Sequence, residues 1–111
     1  MTPHAHNTDA PLHHHRCPIE CTVFNTDYSY AAQKIGHNAQ GLCFESTSAF
    51  HKGTMLKIRL ENYSTRDLDE EAWDGLRTLS VGEVTWCRPT QEDDALGTVY
   101  NVGVKYYDPA W

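Results

Sequence analysis

Residues 98–107 read TVYNVGVKYY, in which Tyr100, Val102, Val104 and Tyr106 alternate with Asn101, Gly103 and Lys105. Period-two alternation sorts side chains onto the two faces of an extended strand; a helix would scatter the same residues around its axis. The rhythm recurs along the chain. Leu56, Ile58 and Leu60 share one face while Lys57, Arg59 and Glu61 take the other, and Cys17, Ile19, Cys21 and Val23 repeat the pattern near the start. A chain built this way folds as sheet.

The remaining elements follow from the punctuation between these runs. NTDY at 25–28 supplies turn residues, YSYAAQKIG at 28–36 reads as a second strand, and GLCFES at 41–46 as a third. Lys52-Gly53 predicts the turn of a hairpin running through AFHKGTMLKIRLEN. LRTLSVGEVTWCR resumes as a long strand with Val84 and Trp86 expected on one buried face. Between them STRDLDEEAWDG breaks the rhythm; Ser64 or Thr65 is expected to cap one helical turn, which Gly75 stops. PTQEDDALG reads as an exposed acidic loop.

Six strands with at most one short helical turn predict an all-β domain whose sheet hides its edges by closing into a small antiparallel barrel. Residues 1–15 lack periodicity, carry five of the chain's seven histidines and are read as a flexible N-terminal arm; residues 16–111 are expected to form the barrel domain.

Charge and hydropathy narrow the partners. A formal charge of −6 disfavours nucleic acid, whose phosphates an acidic surface repels. No apolar run reaches membrane-spanning length and no secretory signal opens the chain, so a cytoplasmic location with no membrane contact is expected. Cys17, Cys21, Cys43 and Cys87 form no C-x-x-C pair and fall inside apolar patterns, where they are read as core residues.

The segment PLHHHRCPIECTVF concentrates His13, His14, His15, Cys17 and Cys21. Adjacent histidines on an extended chain point opposite ways and the spacing does not match paired zinc ligands, so no metal site and no cofactor is expected. No nucleophile elbow, metalloprotease helix or phosphate-binding loop is present, and the carboxylates Asp67, Asp69, Glu70, Glu71 and Asp74 read as a solvated face; the chain is not expected to be an enzyme. Trp73 and Trp111 are candidate partner contacts, while Trp86 is expected in the core.

Taken together, RCPIECTVF, NAQGLCFESTSAFHKGTMLKIRL and GEVTWCRPT…GTVYNVGVKYY resemble the PilZ domain family over about Arg16–Tyr107. The resemblance implies a six-stranded β-barrel and a role as a bacterial receptor for cyclic di-GMP. Members of the family hold that ligand with two arginines four apart before strand one and with an Asp/Asn-x-Ser-x-x-Gly motif leading into strand three. An arginine fork grips a guanine edge or a phosphate bidentately, and its plane stacks on a base.

Carried over by position, Arg16 matches the second arginine and Gly41 the motif glycine, while Asn38 replaces the serine. Leu12 stands at the first arginine and Gly36 at the motif Asp/Asn, so both positions are degenerate; His13, His14 and His15, lying between Leu12 and Arg16, are the nearby cationic candidates. Each missing charge-assisted hydrogen bond removes roughly 1.5–3 kcal/mol. The resemblance therefore implies a PilZ-like regulatory binding module in cyclic di-GMP signalling, contacting the ligand weakly through Arg16, His15, Asn38 and Gly41. The alternative is a degenerate PilZ-like module that does not bind cyclic di-GMP and works through an unidentified protein partner. The long C-terminal helix of many such domains has no counterpart after the last strand, so dimerisation through it is not expected.

Overall fold

The computed structural model describes residues 11–66, 68–94 and 97–107. It contains six strands: β1 (His13–Val23), β2 (Ser29–Asn38), β3 (Gly41–Ser46), β4 (Met55–Leu60), β5 (Leu79–Asp94) and β6 (Gly97–Tyr106). The one helix among the described residues, α1 (Glu70–Trp73), is a single turn. All six strands belong to one antiparallel sheet in the order β1-β2-β3-β6-β5-β4, and β4 pairs back with β1 to close it as a barrel. Every strand therefore pairs with two neighbours over at least part of its length, which is how a closed sheet limits exposed edges.

The alternating residues fill the interior. Ile19, Cys21, Phe44, Leu56, Ile58, Val84 and Val102 are each at most 1% exposed. Phe50, from the β3–β4 connection, sets its ring edge-on to Phe44 and Tyr30, with centroids 5.8 and 5.3 Å away. Burial of each such large apolar side chain contributes roughly 1.5–3 kcal/mol, so the barrel's middle carries most of its stability. No helix among the described residues is long and apolar enough to cross a membrane.

Four sequence expectations need correction. β1 starts at His13, ahead of the expected arm boundary, because His13 and His14 pair with His37 and Gly36 of β2. Lys52-Gly53 does form a turn, with Gly53 at φ +94°, but β4 pairs with β1 and β5, not with the strand before that turn. Asp69, not Ser64 or Thr65, caps α1, its carboxylate accepting from Ala72 N at 3.1 Å. The expected acidic loop is largely strand, since β5 continues to Asp94, where it pairs with Gly97.

Trp86 is a fifth misplacement, of a different kind: a register shift between Val84 and Trp86 breaks the alternation. Val84 stays fully buried, whereas Trp86 is half-buried opposite Gly103. A methyl group on Gly103 would collide with the indole, so the ring lies directly over that glycine. The Arg88 guanidinium sits 5.0 Å from the Trp86 ring centroid. Trp73 is 52% exposed, as expected; Trp111 and the first ten residues lie outside the described residues.

Candidate functional site

The alternation of β1 turns His13, His15 and Cys17 one way and His14 and Arg16 the other. On β2, Tyr30, Ala32 and Lys34 share the inward face, and a register shift between Lys34 and Gly36 then brings His37 inward as well. One mouth of the barrel is thus lined by nitrogen-bearing side chains. Lys34 and His37 are fully buried and His15 is 7% exposed. The His37 ring centroid lies 5.9 Å from that of His13 and 5.7 Å from that of His15.

The β4–β5 connection covers this mouth. His15 donates from Nε2 to the Ser64 carbonyl at 2.9 Å, which leaves Nδ1 as an acceptor for the Lys34 ammonium, also at 2.9 Å. His37 donates from Nε2 to the Ala72 carbonyl at 2.6 Å, and its Nδ1 is buried without a hydrogen-bond partner. Gly75, at φ +97°, packs where a Cβ would strike the Asn38 carbonyl, and the Tyr106 hydroxyl donates to the Gly75 carbonyl at 2.7 Å. The Arg77 guanidinium covers the Tyr106 ring at 4.1 Å.

The electrostatics of the mouth follow from burial without a counter-charge. Among the described residues no carboxylate pairs with Lys34, His15 or His37. Desolvation lowers the Lys34 ammonium to about 8 and the His37 imidazole to about 4, the latter helped down by Lys34, His15 and His13 and opposed by its bond to Ala72. His15 is lowered by burial too, and the Cys17 thiol is raised. Near neutral pH the lysine carries the charge and His15 and His37 stay neutral. No set of three or more metal-ligating side chains among the described residues is arranged to hold an ion.

The residues expected to contact a nucleotide are dispersed by this arrangement. Arg16 alone of them points to solvent, its Nη2 3.5 Å from Glu45 Oε1. His15 is turned into the barrel. Asn38 is 5% exposed and its Oδ1 accepts from the backbone of Gln40 at 2.9 Å and of Gly41 at 3.1 Å, closing the β2–β3 hairpin. Gly41 faces β6, where any Cβ would strike the Val104 carbonyl. At Gly36 a Cβ would lie 2.7 Å from the His13 carbonyl oxygen and 3.5 Å from Leu12 Cβ, so the two degenerate motif positions are neighbours.

Sequence reasoning missed Lys34 and His37. The Tyr30-Ala32-Lys34 alternation does place the lysine on the apolar face, but nothing local announces the shift that carries His37 inward. The chain is therefore a small closed antiparallel barrel with a capped, cationic interior mouth. No family model matches the sequence, and no curated protein matches it.

Proposed function

We propose that the chain is a PilZ-like regulatory module of bacterial cyclic di-GMP signalling that acts through a protein partner and does not itself grip the dinucleotide. The PilZ-like reading is supported by where the resembling segments fall: Arg16 in β1, Asn38 and Gly41 at the β2–β3 hairpin, and the remaining segments on β4, β5 and β6. Six antiparallel strands in one sheet, the number that the resemblance implies, support the same reading.

One observation favours a partner over the nucleotide. His15, Asn38 and Gly41, three of the four expected ligand contacts, are committed to internal hydrogen bonds or to backbone contact. A solvent-facing arginine already beside Glu45 supplies one charge-assisted contact, worth roughly 1.5–3 kcal/mol, where the ligand's two phosphates and two bases call for several. The exposed Trp73 side chain, on the connection over the mouth, is the candidate anchor for a protein.

Calorimetric titration with cyclic di-GMP at about pH 6 and about pH 8 tests this, because histidine compensation would appear only at the lower value. No saturable heat at high micromolar ligand is expected at either. Saturable binding that Arg16→Ala abolishes would instead make the chain a direct receptor.

A further inference from the structure

We propose that the β4–β5 connection is a lid, latched onto the barrel mouth by two uncharged histidines and released when those histidines take up protons. This rests on β1, β2 and the connection alone and is independent of the PilZ-like reading.

The latch has two titratable points. His15 Nε2 holds the Ser64 carbonyl and His37 Nε2 holds the Ala72 carbonyl, eight residues further along the same segment. In each ring the second nitrogen has no way to keep a proton in place. At His15 it already accepts from the Lys34 ammonium, so a proton there sets donor against donor at 2.9 Å. At His37 it is buried with no acceptor, so a proton there is an unsatisfied buried charge.

Among the described residues, the groups facing the latch offer no carboxylate to the protonated form. From β1 come His13 and Cys17, from β2 Lys34, and from β6 Tyr106, with Arg77 stacked upon it; the connection offers backbone carbonyls. The acidic side chains Asp69, Glu70, Glu71 and Asp74 are exposed. The third tie, from the Tyr106 hydroxyl to Gly75, does not titrate in the acid range.

The sign follows from linkage. Burial holds His37 at about 4 and His15 below its ordinary 6.5 while the lid is shut. Opened, both return toward 6.5, so the open form binds more protons below that value. The latch is at full strength above about pH 6.5 and weakens as the pH falls toward 4.

Hydrogen exchange on the whole chain reads this directly. Amide protection in residues 62–78, corrected for the intrinsic pH dependence of exchange, should fall at least about tenfold between pH 7.5 and pH 4.5 while β3 and β6 keep theirs. Replacing both histidines with glutamine (H15Q/H37Q) retains a donor at each position and should flatten the response. Unchanged protection of the connection in the native chain would overturn the proposal without any variant. So would a parallel loss in β3 and β6, or a full pH response surviving in the glutamine pair.

Discussion

Lys34 donates to His15 Nδ1 across 2.9 Å inside the barrel, and no carboxylate among the described residues shares the ammonium's charge. A buried cation held by a neutral imidazole is a weak arrangement for stability, because the ring offers a lone pair and no opposing charge. It is also a specific one: the lysine fixes the His15 tautomer, and that tautomer directs the other ring nitrogen to Ser64.

The first prediction concerns this lysine. Its folded value, about 8 against 10.5, means that the unfolded chain binds more protons between these limits, so stability rises with pH across that window. Lys34→Met should remove that rise. The difference between the two proteins in denaturant unfolding at pH 8 and pH 10 should reach about 2 kcal/mol in order of magnitude. Parallel profiles would show that the ammonium is solvated in the folded state.

A second prediction separates the two degenerate positions. Gly36→Asp forces a Cβ to within 2.7 Å of the His13 carbonyl and should destabilise the fold by about 1–3 kcal/mol, with loss of exchange protection at the β1–β2 pairing around His13. Leu12→Arg, at a 44% exposed position, should stay within about 0.5 kcal/mol of the native protein. Thermal unfolding of the two variants distinguishes them, and equal melting temperatures would remove the steric argument.

Asn38 gives a third. If its role is to close the hairpin, Asn38→Ala deletes an acceptor used by two amides and should destabilise by about 1–3 kcal/mol in the absence of any ligand. An Asn38→Ala protein as stable as the native one would mean that the side chain is held in reserve for something else.

Arg16 supplies the contrast. Its pair with Glu45 is long, at 3.5 Å, and both side chains are well exposed, so Arg16→Ala should alter unfolding free energy by no more than about 0.5 kcal/mol. A larger loss in chemical denaturation would assign Arg16 a structural task and leave the outer face without a candidate ligand group.

How much of this was legible in the sequence depends on where the alternation holds. Leu56, Ile58 and Leu60 keep strict period two and are all buried, and β3 spans the expected Gly41–Ser46. Reading fails where one residue is inserted into a ladder. The shift after Val84 turns Trp86 away from the core, and the shift after Lys34 buries His37; each depends on a partner strand far away in sequence. The candidate site fares worse for the same reason. A motif match counts residue types at a spacing, whereas the role of His15, Asn38 and Gly41 is set by Lys34, the hairpin amides and Val104.

The central claim is that these residues are committed inside the fold, and amide chemical shifts test it most directly. In a titration with cyclic di-GMP to high micromolar concentration, the amides of Gln40 and Gly41, which donate to Asn38, should keep their shifts throughout. Saturable movement of those two amides together with Arg16 would contradict the account and place the ligand on the β1–β2–β3 face.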